Sequence, residues 1–214
     1  MRYLMNLAYK LNNLLLVLLL TAVPHTVQAQ ETPEFDRLKE RFESGSVFTA
    51  QFTHTYNDDF TGESQVTEGT IWVGEQQYKI RNAGNLMVVD SEISRVYDST
   101  KNRVIISEYV EEEDDFAPSR MLQGVDEQYR VSESELTDGS TEVTLISEDP
   151  FTVFMRVIIL LDGSGIPQSI TAIDQVENRL VTDFLEGRFM PVDEEIFQFD
   201  YPPEAEIIDL RPGS

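Results

Sequence analysis

The stretch FTVFMRVIILLDGSGIPQSITAID, residues 151–174, carries the clearest strand signal of the chain. In its first half, apolar residues occupy both the odd and the even positions. The odd positions hold Phe151, Val153, Met155, Val157 and Ile159, and the even positions include Phe154, Ile158 and Leu160. A period of two with β-branched residues indicates a strand, and two apolar parities indicate two covered faces. Asp162 to Gly165 suit a tight reversal, because Gly accepts positive φ without steric cost. The pattern predicts a long β-hairpin near the centre of an antiparallel sheet.

Short alternating segments separated by turn residues fill most of the remaining chain. The predicted strands are residues 47–56, 66–73, 78–80, 86–89, 93–97, 104–110, 129–131, 142–147, 180–186 and 196–200, with 206–210 as an added edge strand. Regular short spacing of this kind indicates a meander and not βαβ units. Residues 118–124 are typical of a short helical turn or a covering loop. The fold class is therefore mainly β.

One amphipathic helix is predicted ahead of the strands, over residues 32–42. Thr32 is a favourable N-cap residue, and Pro33 suits the first turn. Phe35, Leu38 and Phe42 recur at i, i+3 and i+7, which places them in one apolar stripe. We expect this stripe to lie on the sheet.

The first 29 residues have the pattern of a secretory signal peptide. Arg2 and Lys10 give a positive start, residues 14–22 form a short apolar run, and small residues precede a cleavage point after Ala29. The run is too short for a stable membrane span, so a retained anchor is the less favoured alternative. We expect residues 30–214 to form one exported domain. The chain has no cysteine, so we expect neither disulfides nor a lipid-modified cysteine, and a periplasmic location.

The chain is strongly acidic. All 39 acidic residues follow Ala29, whereas two of the 16 basic residues precede it, so the expected net charge after cleavage is 14 − 39, or −25. This sign excludes nucleic acid as a natural partner. Because the charge is spread along the whole chain, it is more typical of solubility or of adaptation to high salt than of a site.

Residue types that carry catalysis are scarce. There is no Cys nucleophile, and His54 is the only histidine after the signal peptide, so the usual zinc site cannot form. Gly163-Ser164-Gly165 lies in a hairpin turn and not in a strand-to-helix elbow. The acidic residues 111–115 lack the spacing of a calcium loop, which favours a solvated turn. We therefore predict no catalysis, no metal and no cofactor.

The remaining signal is a surplus of apolar and aromatic residues on both sides of the predicted sheet. For most of them an ordinary core is sufficient, but a curved sheet under a helix can leave an unfilled apolar cavity that admits an apolar ligand. The candidates for lining such a cavity are Phe48, Phe52, Trp72, Tyr78, Leu86, Val88, Met121, Leu122 and Phe184.

Four segments together resemble the outer-membrane lipoprotein carrier family, LolA. They are VFTAQFTH (47–54), EGTIWV (68–73), LMVVDSEISRVYD (86–98) and FQFDYPPEAEIIDLR (197–211), in the family's order. The resemblance implies an incompletely closed, strongly curved antiparallel β-barrel with a short α-helical lid. Its interior would hold lipoprotein acyl chains, received from an inner-membrane ABC-type exporter and passed to an outer-membrane acceptor lipoprotein. The absence of cysteine favours the carrier over the acceptor, and we expect a monomer.

The resemblance also implies residues that contact the lid. Phe35 and Leu38 are candidates on the first helix. The family commonly has Arg-Pro beyond the Trp strand, and that arginine holds the lid closed; here Gly74-Glu75-Gln76 stands in its place. Arg120, in the predicted lid, has the opposite sign to Glu75, which suggests a reversed ion pair.

Two other functions remain open at this point. A protein of the same fold can act as a lipid or lipoprotein sensor, or carry another lipid. A secreted hydrolase is the third possibility, and the scarcity of catalytic residues disfavours it.

Overall fold

The structure is a computed structural model. It describes residues 32–58, 60–90, 92–110, 114, 121–122, 129–193 and 195–213. One α-helix precedes twelve strands: α1 Pro33–Glu43, β1 Ser46–Asn57, β2 Ser64–Val73, β3 Tyr78–Asn82, β4 Asn85–Val89, β5 Ile93–Asp98, β6 Arg103–Glu108, β7 Arg130–Glu135, β8 Thr141–Ile146, β9 Phe154–Leu161, β10 Pro167–Asp174, β11 Arg179–Pro191 and β12 Glu206–Asp209. Within these ranges, no helix has the length and apolar character needed to cross a bilayer.

All twelve strands form one curved, unclosed sheet. Their order is β12-β6-β5-β4-β3-β2-β1-β11-β10-β9-β8-β7, so β12 and β7 are the two edges. Every pairing is antiparallel except that of β12 with β6, which is parallel. The prediction of a mainly β, incompletely closed antiparallel sheet with a short helix is confirmed.

The hairpin of residues 151–174 lies away from the centre of the sheet, contrary to the prediction. It forms β9 and β10, which stand toward the β7 edge, while β1 lies centrally between β2 and β11. Only one face of β9 is fully buried, through Val157, Ile159 and Leu161. Phe151 precedes the strand in a turn and is 92 % exposed. The apolar sequence of β9 therefore predicted a second fully buried face, whereas that face is only partly buried.

The predicted strand at residues 196–200 is also wrong. This segment forms a turn and an extended stretch outside the sheet. It crosses the sheet surface, where Phe197 is buried and the Lys79 Nζ donates to the Gln198 carbonyl at 2.8 Å. An extended chain that packs on a sheet face has the same alternating pattern as a strand within the sheet.

The two faces of the sheet bury different residues. We call the face that α1 covers the concave face and the opposite one the convex face. The main core lies on the concave face and includes Phe48, Ala50 and Phe52 of β1, beside Ile71 and Val73 of β2. A smaller apolar layer lies on the convex face. Its buried members are Val47, Leu86, Val88 and Val104.

Gly69 on β2 is required by the close approach of two neighbours. A Cβ atom there would stand 2.3 Å from the Arg81 carbonyl oxygen and 3.0 Å from the Phe52 ring. The first contact is with backbone, which cannot move without displacing β3. A side chain at this position therefore forces the centre of the sheet apart.

We predict that Gly69→Ala lowers the free energy of unfolding by about 1–3 kcal/mol, the usual cost of overpacking. Urea denaturation followed by circular dichroism measures this change. Glu68→Gln is the control, because Glu68 is exposed on the same strand and such changes stay within about 0.5 kcal/mol. An unchanged midpoint for Gly69→Ala would contradict the assigned close contact.

Candidate functional site

Helix α1 closes the concave face with its apolar stripe. Phe35, Leu38 and Phe42 are almost fully buried there. The Phe42 ring meets Phe189 of β11 edge to face, with 5.4 Å between ring centroids. Such aromatic pairs add about 0.5–1.5 kcal/mol to the burial of their area. The stripe therefore holds the helix on the sheet, as the sequence predicts for Phe35 and Leu38.

A carboxylate from the far edge strand caps the start of α1. Thr32 occupies the N-cap position, but its side chain makes no capping hydrogen bond. Instead, the backbone N–H of Phe35 donates to Glu133 on β7 at 2.6 Å, and that of Glu34 donates to the same carboxylate at 3.3 Å. A negative group is favourable here because the first N–H groups of a helix lack partners and carry its positive dipole end.

The other end of α1 is held at the β9–β10 turn. The Arg41 guanidinium donates to the Ser164 carbonyl at 3.0 Å and to the Gly165 carbonyl at 3.3 Å. The guanidinium also stacks on the Phe189 ring, 5.0 Å from its centroid. Polar contacts to β7 at one end and to this turn at the other thus set the position of the helix.

Six of the nine predicted cavity residues lie in the concave core. They are Phe48, Phe52, Tyr78, Met121, Leu122 and Phe184, all buried. The Tyr78 hydroxyl donates to the Asp114 carboxylate. Phe48 and Phe184 meet edge to face at 5.1 Å between centroids. These side chains fill the concave face with aromatic and aliphatic surface.

Trp72, Leu86 and Val88, the other three candidates for a cavity lining, lie on the convex face, away from the concave core. The strand register pairs Trp72 with Lys79 and pairs Lys79 with Val88, whereas Ile71 and Val73 turn toward the core. Residues 86–89 are apolar at four consecutive positions, so their parity does not reveal the buried face. Met87 and Val89 are the concave members of this strand.

The remaining lid prediction concerns Glu75 and Arg120. Glu75 lies in the turn after β2 and lines a rim cavity of about 300 Å³ with Gly45, Val192 and Phe197. Arg120 lies outside the described residues, as do most of residues 118–124. Met121 and Leu122 form a short 3₁₀ turn. The proposed ion pair between Glu75 and Arg120 remains a prediction.

An opening on the concave face lies over β4, β5 and β6. This cavity has a volume of about 200 Å³ and is lined by Met87, Ser94, Val96, Ser107, Glu108, Tyr109, Val110 and Asp114. We call it the β4–β6 pocket. Its walls combine apolar side chains with hydroxyls and with the carboxylates of Glu108 and Asp114, and its lining residues Met87 and Tyr109 pack against the concave core. Sequence reasoning missed Met87 because it selected the other parity of β4, and it missed Val96 and Tyr109 because it selected no residue from β5 or from the end of β6.

The described residues offer little for catalysis. They contain no group of three or more His, Asp or Glu side chains placed to hold a metal ion. His54 is buried on the concave face, with its Nδ1 2.9 Å from the Thr182 hydroxyl.

No family model matches the sequence, and no curated protein matches it. Solved structures do match. An uncharacterised conserved protein from Thermus thermophilus has a TM-score of 0.51 at 12 % identity, with 81 % of this chain and 98 % of that chain covered. A domain of a putative outer membrane lipoprotein-sorting protein from Vibrio parahaemolyticus has a TM-score of 0.42 at 12 % identity, with coverages of 78 % and 95 %.

A LolA superfamily protein from Nitrosomonas europaea has a TM-score of 0.46 at 10 % identity, with 78 % of this chain and 96 % of that chain covered. At these identities the likeness concerns the fold and does not transfer a function. The chain itself has a curved unclosed sheet with one helix on its concave face, the architecture that the resemblance of its sequence implies.

Proposed function

We propose that this protein binds acyl chains of lipoproteins or lipids against the concave face, beneath α1, and carries them through an aqueous compartment. The main support for the proposal is the way in which α1 covers the concave face. An apolar stripe lies on an apolar sheet face, and the polar contacts at its ends come from Glu133 and Arg41. Releasing α1 would uncover apolar surface on both the helix and the sheet.

The energetics of acyl transfer favour such a site. Each methylene kept from water contributes about 0.8 kcal/mol, so a long acyl chain requires roughly 10 kcal/mol of apolar contact to leave a membrane. The β4–β6 pocket, at about 200 Å³, is smaller than the roughly 300–1,000 Å³ typical of ligand pockets. We therefore infer that the full site is larger than this pocket and that release of α1 from the sheet supplies the additional apolar surface.

The cargo and its route follow from the sequence resemblance. A signal peptide over residues 1–29 would deliver the chain to the periplasm, where the cargo would be lipoproteins. In this proposal an inner-membrane ABC-type exporter loads the carrier, an outer-membrane acceptor lipoprotein unloads it, and the carrier works as a monomer without a catalytic step. Carriage of another lipid would use the same concave face.

Binding of a fluorescent fatty acid tests the proposal directly. We expect saturable binding of 11-(dansylamino)undecanoic acid and its displacement by a triacylated peptide. Val96→Glu should weaken binding about tenfold or more, equivalent to about 1.4 kcal/mol, because it replaces an apolar wall of the β4–β6 pocket with a third carboxylate beside Glu108 and Asp114. Val181→Glu is the matched control, because Val181 is half-buried on the convex face. Equal weakening by both variants, or no saturable binding, would contradict the proposal.

The contact of Glu133 with α1 yields a second prediction. Glu133→Ala removes the acceptor of the Glu34 and Phe35 amides, a loss that costs about 0.5–2 kcal/mol at helix N-termini. We expect faster hydrogen exchange at these amides and faster uptake of the fluorescent fatty acid. Glu135→Ala is the control, since Glu135 is an exposed acid on the same strand. Unchanged exchange and uptake rates would show that this contact does not govern access.

A further inference from the structure

A second cavity lies on the convex face, above β11, β1, β2 and β3. Its volume is about 360 Å³, and we call it the convex pocket. The side chains that matter for its chemistry are Gln51, Thr70, Trp72, Arg81, Glu186 and Arg188. None of the predicted acyl contacts except Trp72 belongs to it. It is separated from the concave core by the thickness of the sheet.

The strand register places two arginines on either side of Trp72. Thr49 pairs with Trp72 on β2 and with Arg188 on β11, while Thr70 pairs with Arg81 on β3. Neighbouring strands lie about 4.8 Å apart, and Arg81 is offset from Arg188 by two residues along the strands, so the two arginine backbones stand roughly 16 Å from each other. Long guanidinium side chains can converge across this span on a group held between them.

A β-bulge shapes the floor of the convex pocket. The register of β1 and β11 shifts between Thr49 and Gln51, so that Glu186 and Gly187 together oppose Ala50. Glu186 has a φ of 56°, and a Cβ at Gly187 would stand 3.0 Å from the Phe48 ring. The concave core therefore fixes the bulge from below, and the bulge changes the direction of the chain just before Arg188.

The convex pocket is a cationic site in an acidic protein. The chain has 39 acidic residues, yet none of the ion pairs between described residues includes Arg81 or Arg188. Lys79 lies beside the convex pocket, with its Nζ 6.0 Å from the centroid of the Trp72 ring and donating to the Gln198 carbonyl. Burial lowers the pKa of Lys79, and the nearby positive charge of Arg81 lowers it further. Glu186 supplies the negative charge among the lining residues.

We propose that the convex pocket binds a phosphate group, with Arg81 and Arg188 as its charged ligands. One guanidinium can satisfy both oxygens of a carboxylate in a single plane, whereas a tetrahedral phosphate offers oxygens in several directions. Two arginines on different strands can bind the oxygens of a tetrahedral phosphate from two directions. Thr70 and Gln51, which hydrogen-bond to each other at 3.1 Å, provide neutral donors beside them. The phosphate is either free or part of a lipid headgroup.

Trp72 gives this site its own optical probe. It is the only tryptophan of the chain, so its fluorescence reports the convex pocket. We expect sodium phosphate, or dihexanoyl phosphatidylglycerol below its micelle concentration, to change the fluorescence of the full protein with saturation, and sodium acetate at the same ionic strength to have no such effect. Arg81→Gln and Arg188→Gln should each raise the dissociation constant about tenfold, and Glu186→Gln should lower it severalfold.

Arg156→Gln provides the matched control for loss of one positive charge. Arg156 is exposed on β9 and does not line the convex pocket, so this variant should bind phosphate like the original chain. Vesicles of phosphatidylcholine with and without phosphatidylglycerol identify the source. Binding to the anionic vesicles assigns a lipid headgroup, and binding of free phosphate alone assigns a soluble phosphate. No saturable change with either form, an equal response to acetate, or equal weakening by Arg156→Gln would overturn the proposal.

Discussion

The pairing of β1 with β11 is the constraint on which the rest of the structure depends. It joins residues about 130 positions apart and connects two runs of neighbouring strands into one sheet. Because β1 also pairs with β2 along most of its length, it belongs to both halves. The bulge opposite Ala50 lets Phe48 and Phe52 stay on the concave face while their partners Phe189 and Phe184 do the same. Loss of this register would disperse the aromatic core.

Both candidate sites follow from that arrangement. On the concave side, the aromatic floor receives the stripe of α1, and Glu133 and Arg41 fix the ends of the helix. On the convex side, the same bulge directs Arg188 toward Trp72. A central strand that is constrained on both faces thus separates the apolar concave face from the convex pocket, so the two proposed sites share one scaffold.

The acidic composition has a structural role that charge counting did not suggest. Aspartate carboxylates accept backbone N–H groups two to four positions ahead in many turns, as Asp58, Asp138, Asp162 and Asp174 do. Hydrogen bonds from Thr61 lower the pKa of Asp58, and those from Ser140 lower that of Asp138. Several of the acids therefore shape the reversals of a twelve-stranded sheet, in keeping with the preference of Asp for turns.

Local pattern in the sequence was sufficient for the helix stripe of Phe35, Leu38 and Phe42, for most strands and for the mainly β class, because periodicity and turn chemistry are properties of neighbouring residues. It could not choose the buried face of residues 86–89, where both parities are apolar, and it misassigned the extended segment around Phe197. The cap from Glu133 and the presence of Arg81 and Arg188 in one pocket depend on strands distant in the chain. Such contacts are decided only by tertiary structure, since strand order and register determine which side chains meet.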